Sequence, residues 1–193
     1  MAYWAIGAVT VDPSLTISSR AVMQHTDPAT DSVYFRAALG RFATGVTVIT
    51  ASDSQGALLG LTVNSFNAVS LDPPLVLWSL AKKSSALPGI VAATRYTIHV
   101  LGAHQTDLAM RFASGTHADR FDNLPMTTTS GGSPMLNIPV AAWFECEPHG
   151  SLPAGDHVIL VARVRQCSHS DTPPLVFHAG GFDLTPGSRP AIS

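Results

Sequence analysis

Six short runs of apolar and β-branched residues recur between residues 46 and 167, and turn segments such as DSQG and LDPP separate several of them. Runs of this kind are typical of β-strands. They predict strands at six places: residues 46–50, 60–66, 74–80, 96–101, 141–147 and 156–167. Strands and helices do not alternate as in a parallel βαβ fold, so the pattern predicts a mainly β chain that closes, or nearly closes, into a barrel.

A few short helices accompany the predicted strands. The first is predicted over residues 32–43, with Thr30 or Asp31 as its N-cap. Its apolar face has three candidate residues: Val33, Leu39 and Phe42. Two further helices are predicted to begin near residues 85 and 106.

Two segments lack a clear periodicity. Residues 1–30 have mixed polarity and are predicted to form an N-terminal arm, which leaves residues 31–193 as one domain. Residues 123–139 are rich in threonine, serine, glycine and proline, which predicts a surface loop.

The charge content limits the possible partners. Charged residues make up 12% of the chain and hydrophobic residues 46%, which predicts that a partner, most simply a second copy, covers part of the surface. An ordinary soluble monomer is the alternative. The net charge of -2 argues against a nucleic-acid partner. No apolar stretch is long enough for a membrane span, and the first basic residue is Arg20, so a cytoplasmic location is expected.

Several common site motifs are absent from the sequence. There is no GxGxxG, GxxxxGK[ST], HExxH or GxSxG segment, and the eight histidines lack the spacing of a zinc site. No metal is therefore expected. Cys146 and Cys167 form no CxxC pair and are predicted to be reduced and structural.

The segment SLAKKSSAL contains the two lysines of the chain, Lys82 and Lys83, followed directly by Ser84 and Ser85. Two ammonium groups and two hydroxyls at the start of a predicted helix can hold a phosphate group. The alternative is a solvated turn in which the serines only cap the helix.

Polar and aromatic residues in two other segments can also contact a ligand. Thr62, Asn64 and Ser65 interrupt a strand that is otherwise apolar, so their side chains need partners in the protein or in a polar ligand. Arg111 and Phe112 pair a cation with an aromatic ring, as Arg120 and Phe121 do, and such groups can flank a flat ligand. For these two arginine-aromatic pairs, ordinary helix packing with surface arginines is the alternative.

The segment PAGDHVILVARV places Asp156 and His157 at the start of a predicted strand. His157 can donate a hydrogen bond, carry charge near pH 7 or stack on a ring, or it can simply bond a loop carbonyl. Neighbouring side chains of a strand point to opposite faces, so Asp156 and His157 need not touch.

These segments occur in the order found in the flavin reductase family, and the chain resembles that family over about residues 33–184. The resemblance is carried by FRAALGRFATGVTVIT, GLTVNSFNAVSLDPPLVLWSL, IHVLGAHQTDLAMRFA, DRF, GSPMLNIPVAAWFECE, GDHVILVARV and PLVFHAGGF. It implies an FMN-binding split β-barrel, a homodimer, and FMN or FAD in a groove near the subunit interface. It further implies NADH or NADPH as hydride donor and a partner monooxygenase that receives reduced flavin.

The resemblance also implies roles for individual residues. His157 is expected beside the flavin and the nicotinamide, where it orients them, and Gly155 is expected to permit their close approach. Flavin contacts are expected from two segments and from three further residues: Thr62, Val63, Asn64, Ser65, Phe66, Ala81, Lys82, Lys83, Ser84, Ser85, Arg111, Phe112 and Phe182. The chain departs from the family at the phosphate turn, where Ser84 is followed by Ser85, and at Phe182, where many relatives have tyrosine.

Two other functions remain compatible with the sequence. One is a flavin-binding barrel that is not a free-flavin reductase, such as an oxidase, a sensor or an electron carrier. The other is a barrel that has lost reductase activity and binds a different ligand, since a fold does not determine a function.

Overall fold

A computed structural model describes residues 25–114 and 116–183 of the chain. By its contacts the chain divides into two compact units between Arg36 and Ala37. Most of the predicted arm lies outside the described residues, so the proposed domain boundary at residue 31 stays a prediction. All the strands described below belong to the second unit.

Four short helices are present in the described residues. Their bounds are α1 Ser32–Leu39, α2 Leu87–Ala92, α3 Thr106–Ala113 and α4 His117–Phe121. The predicted starts at residues 32 and 106 are confirmed, the helix predicted near residue 85 begins at Leu87, and α4 was not predicted. None of these helices is long and apolar enough to cross a membrane.

Helix α1 begins as predicted and ends early. The side chain of Asp31 accepts hydrogen bonds from the backbone N–H groups of Val33 and Tyr34 and therefore caps the helix. After Leu39 the backbone turns more tightly, because Phe42 N–H bonds the Leu39 carbonyl, so the predicted end at residue 43 is wrong. The predicted apolar face is exposed in the single chain.

The described residues contain twelve strands, which make the fold mainly β, as predicted. In chain order they are β1 Thr44–Gly45, β2 Thr47–Ser52, β3 Leu58–Val63, β4 Asn67–Leu71, β5 Pro74–Ala81, β6 Tyr96–Val100, β7 Met126–Thr128, β8 Pro134–Leu136, β9 Ala142–Ala154, β10 His157–His169, β11 Val176–His178 and β12 Gly181–Asp183. Seven of them form one antiparallel sheet in the order β3-β2-β6-β9-β10-β5-β4. Its two edge strands, β3 and β4, follow each other in sequence, so the sheet curls round to bring them near each other. The sheet does not close, because β3 and β4 are not paired by hydrogen bonds.

Residues 123–139 lie partly at the surface, as their composition predicts, but they are not a loop throughout, because β7 and β8 pair within this segment as a hairpin. Thr129 and Ser133 at its tip are buried. Two threonines of the main sheet bond the same tip: Thr50 Oγ1 donates to the carbonyl of Pro134 at 2.6 Å, and Thr97 Oγ1 lies 2.9 Å from Ser133 Oγ. Two hydroxyl groups of the segment, those of Thr129 and Ser133, are thus buried and bonded within the protein, whereas Thr127, Thr128 and Ser130 are exposed.

A fully buried carboxylate, Glu145 on β9, lies beneath this hairpin. It accepts a hydrogen bond from the Thr129 hydroxyl and pairs with the Arg95 guanidinium at 3.5 Å. Gly131 passes directly over the pair, and a Cβ atom there would collide with both side chains. No local sequence pattern indicates this cluster, because its residues lie on three separate segments.

Two apolar clusters fill the interior. The larger contains Trp78, whose indole N–H donates to the hydroxyl of Tyr96 at 3.2 Å. The smaller contains Phe112 of α3, which packs edge-on against Phe121 of α4 with ring centroids 5.1 Å apart. Gly60 on β3 leaves the space for these two rings, since a side chain at that position would overlap both.

Both cysteines are free thiols. Cys146 is buried in the larger cluster, where burial raises the pKa of its thiol to about 12. A thiol that stays protonated is unreactive, which agrees with the predicted structural role. Cys167 is exposed on β10.

A buried histidine, His99 on β6, makes the stability of the fold depend on pH. Its Nε2 accepts from the backbone N–H of Leu136 at 3.1 Å, so Nδ1 carries the proton and donates to the Val48 carbonyl. Burial lowers the pKa of His99 to about 4, and the bond to Val48 opposes this effect. Below about pH 6.5, His99 therefore binds a proton in the unfolded chain but not in the folded chain, which lowers the stability of the fold.

We expect the free energy of unfolding to fall as the pH is lowered from 7 to 5, by about 2 kcal/mol, and to change little above pH 7. Denaturant titrations at several pH values measure this slope. His99→Gln should flatten it, whereas the exposed His169→Gln serves as a control that should keep it. A slope that persists unchanged in a folded His99→Gln protein would contradict the assignment.

Candidate functional site

Two turns that are far apart in sequence are fastened together at one end of the main sheet. His157, the first residue of β10, lies directly across from Ala81, the last residue of β5. Just beyond that pair, the backbone N–H of Lys82 donates to the Asp156 carbonyl at 2.9 Å. The Lys82 ammonium group also donates, to the Gly155 carbonyl at 2.6 Å. The lysine-serine turn and the Gly-Asp-His turn are thus one structural unit.

The Gly-Asp-His turn is a two-residue hairpin loop between β9 and β10. Gly155 has a φ of +58°, which suits glycine at the first loop position of such hairpins. A Cβ atom at Gly155 would meet nothing within 4 Å. Glycine is therefore required for its backbone conformation, and its expected role in the close approach of a ligand stays a prediction.

Asp156 and His157 touch, although the strand pattern did not require it. Asp156 belongs to the turn rather than to the strand, so the alternation of side chains does not separate them. His157 Nδ1 lies 2.7 Å from Asp156 Oδ1. The hydrogen bond from His157, followed by the charge of that ring, lowers the pKa of Asp156 below its usual value.

A cavity of about 410 Å³ opens beside this unit. Its walls come from β3, the end of β5, the lysine-serine turn, α3 and α4. The lining residues are Leu61, Thr62, Leu80, Ala81, Lys83, Ser84, Ser85, Ala86, Phe112, Ala113 and Arg120. Six predicted flavin contacts are among them: Thr62, Ala81, Lys83, Ser84, Ser85 and Phe112. The volume is in the range of ligand-binding clefts.

The two lysines have different positions. Lys83 lines the cavity together with the two serines that follow it. Lys82 does not line it, because its ammonium group is bonded to the neighbouring turn. The turn itself is fixed by Ser84, whose N–H donates to the Ala81 carbonyl at 2.9 Å and whose hydroxyl accepts from Ala86 N–H at 3.3 Å.

The two predicted arginine-aromatic pairs also separate. The Arg111 guanidinium donates to the Asp119 carbonyl from two nitrogens, at 3.1 and 2.9 Å, and thereby joins α3 to α4. Arg120 instead lines the cavity, and its Nη1 donates to the Gly60 carbonyl at 2.7 Å. Phe112 is buried and contributes apolar surface to the cavity wall.

The remaining predicted contacts lie outside the cavity lining. Val63 is buried in the core and Asn64 is exposed after the end of β3. The hydroxyl of Ser65 bonds both backbone groups of Ser79, at 3.0 and 3.2 Å, and so fastens the loop after β3 to β5. Phe66 packs against Phe144.

Two further expected residues stand apart from the cavity walls in the single chain. Phe182 on β12 packs against Phe177, with ring centroids 5.6 Å apart. His157 does not line the cavity either, but it is paired with Ala81, which does. The side chain of His157 is 45% exposed. Within the described parts of the chain, no cluster of three or more histidine, cysteine, aspartate or glutamate side chains could hold a metal ion.

Comparison with known proteins gives a consistent result. Residues 39–185 match the model of the flavin reductase like domain. The FMN reductase (NADH) of Agrobacterium fabrum is 48% identical over 148 residues, which cover 77% of this chain and 83% of that protein. Some relatives are longer: the chain covers 47% of a probable flavin reductase of Rhizobium meliloti, with 44% identity.

Solved structures agree with the predicted fold. The NADH:FAD oxidoreductase of Streptomyces globisporus superimposes with a TM-score of 0.80 and 32% identity, covering 86% of this chain and 99% of that one. The flavin reductase of styrene monooxygenase from Pseudomonas putida gives a TM-score of 0.70 at 33% identity, covering 80% and 99%. The predicted split-barrel fold is confirmed.

Proposed function

The chain belongs to the flavin reductase-like domain family, and from that membership we propose that it is an NAD(P)H:flavin oxidoreductase that supplies reduced FMN or FAD to a partner monooxygenase. One observation supports the assignment of specific residues to this function: Thr62 and the turn of Lys83, Ser84 and Ser85 line the same cavity. Relatives named for NADH favour NADH as the donor.

The cavity fits a flavin in its chemistry. Leu61, Leu80 and Phe112 supply apolar surface for a flat ring. Lys83 supplies a positive charge and, with the adjacent serine hydroxyls, suits the phosphate at the other end of the cofactor. Thr62 donates its hydroxyl proton to the Ala109 carbonyl at 2.6 Å, so towards a ligand its oxygen can only accept.

The residues of the chain supply position rather than acid or base chemistry. A bound flavin provides the hydride acceptor and the nicotinamide provides the hydride. The protein has to hold the two rings in contact and keep water away from them. His157 stands at the rim beside Ala81 and is proposed to orient the rings. The apolar wall of Phe112 excludes water from the inner side of the cavity.

A partner monooxygenase follows from the names of relatives. A reductase subunit of stachydrine N-demethylase from Rhizobium meliloti is 42% identical over 147 residues, and a reductase component of trigonelline monooxygenase from Acinetobacter baylyi is 37% identical. We propose that this chain has the same kind of partner.

Free thiols at Cys146 and Cys167 are consistent with the proposed location in the reducing cytoplasm.

We expect the purified protein to oxidise NADH through many turnovers when free FMN or FAD is in excess, because a released flavin product allows each site to work repeatedly. Anaerobic absorbance measurements follow nicotinamide and flavin together. Oxidation limited to one equivalent per site would instead support a flavoprotein that retains its cofactor. Absence of both flavin binding and NADH oxidation would support a barrel with another ligand.

We expect Lys83→Ala to weaken FMN binding about tenfold, because a charge-assisted bond to the phosphate is lost. Binding of riboflavin, which lacks the phosphate, should change little. Fluorescence titration with both flavins gives the two affinities and their ratio.

Lys82→Ala is the matched control for this experiment. Its ammonium group bonds the Gly155 carbonyl, so its loss should lower the melting temperature while the preference for FMN over riboflavin is kept. Equal loss of FMN and riboflavin affinity in Lys83→Ala would exclude Lys83 as the phosphate ligand.

We also propose that the protein is a homodimer, as the resemblance implies. The edge strand β4 exposes Val69 at 46% and Leu71 at 64%, and Leu39 and Phe42 are exposed at 59% and 74%. Exposed apolar residues on an unpaired sheet edge favour association.

We expect light scattering after gel filtration to give about twice the chain mass of 20.3 kDa. Leu71→Asp places a charge on the β4 edge and should shift the mass towards the monomer. Circular dichroism of the variant confirms that the fold is kept. A monomeric mass for the wild-type protein would contradict the dimer, whatever the variant does.

A further inference from the structure

We propose that Asp156 is a positioning residue for the reductase reaction, whose carboxylate fixes the orientation and tautomer of the His157 ring. This inference rests on the proposed function and extends it to a residue that lies outside the cavity. It is carried by the contact between the two side chains and by the bonds that hold their turn.

The contact determines which ring nitrogen carries a proton. Asp156 Oδ1 lies 2.7 Å from His157 Nδ1. The pKa of Asp156 is lowered, first by that hydrogen bond, so the carboxylate is ionised at neutral pH and can only accept. Nδ1 therefore donates to Asp156, and Nε2 is the nitrogen that remains for a ligand.

The turn gives the carboxylate a fixed position although its side chain is 93% exposed. Backbone carbonyls on either side of the loop are held by Lys82: Asp156 O by its N–H and Gly155 O by its ammonium group. Asp156 is also a short side chain, so ordering it costs little conformational entropy. The fixed backbone of the turn lowers the conformational entropy that is lost when this exposed pair forms.

The surrounding charges favour the same arrangement. The positive charge of Lys83 contributes to the lowered pKa of Asp156, and Lys82 bonds the same loop. Ala81, across from His157, has no polar side chain that could compete for Nδ1. Asp156 is thus the side chain that decides how the ring stands at the rim of the cavity.

The first test uses the protein without flavin and measures the ring nitrogens of His157 by ¹⁵N NMR. The signals of His157 are identified by their absence in His157→Ala. We expect the Nδ1–H tautomer in the wild-type protein at neutral to alkaline pH and a mixed population in Asp156→Ala. Asp156→Asn can accept or donate, so it should also permit both tautomers. An unchanged tautomer in Asp156→Ala would overturn the proposal.

The second test measures steady-state kinetics in a double-mutant cycle. We expect Asp156→Ala to lower kcat/KM for NADH about fivefold when His157 is present, which is the effect of an exposed pair at the upper end of its usual strength. In the His157→Ala background, Asp156→Ala should have no further effect, because Asp156 acts through the ring.

Three outcomes separate the possibilities. Equal effects of Asp156→Ala in both backgrounds would show that Asp156 acts without His157 and would overturn the proposal. A lower melting temperature with unchanged kcat/KM would mean that Asp156 only anchors the turn, which also overturns it. Absence of turnover in the wild-type protein would count against the proposed reductase function instead, and the NMR test would still decide the role of Asp156.

Discussion

The bond between the end of β5 and the β9–β10 hairpin is the constraint on which the site depends. Lys82 holds both carbonyls of the hairpin loop, one through its backbone and one through its ammonium group. A surface lysine would ordinarily be a mobile, solvated cation. Here it fixes the distance between the turn that carries Lys83 and the turn that carries His157. The cavity has a defined rim because these two loops cannot move independently.

A second constraint comes from polar groups buried inside the barrel. Thr50, Thr97 and Glu145 point from three strands to one hairpin and satisfy its hydroxyl and carbonyl groups. Buried polar groups without partners are costly, so these hydrogen bonds favour a single arrangement of the hairpin. The second carboxylate oxygen of Glu145 is buried and has no hydrogen-bond partner among the described residues. Glycine at position 131 is required because the backbone passes directly over Arg95 and Glu145.

The sequence predicted the strands well where apolar alternation was strong and poorly where it was weak. β5 and β6 were placed within one residue at each end. β9 runs to Ala154. The predicted strand ended at residue 147 because the segment that follows, PHGSLPA, has the composition of a turn. Its pairing with the long strand β10 overrides that local preference. The β7–β8 hairpin was missed because its hydroxyl-rich composition is typical of a loop, whereas two of its hydroxyl groups, those of Thr129 and Ser133, are buried and bonded inside the protein.

The sequence by itself determined the mainly β fold, the family and the segments that form the cavity, because alternation and the ordered motifs are local properties of the chain. Only the tertiary structure decided which residue of each motif faces the cavity. Lys83 and Lys82 are neighbours in sequence and differ in function, since one lines the cavity and the other bonds a distant turn. Arg120, rather than the predicted Arg111, lines the cavity for a similar reason. Arg111 of α3 is hydrogen-bonded to the Asp119 carbonyl of α4 and holds the two helices together. Such choices depend on contacts between residues far apart in the chain, and no short segment contains them.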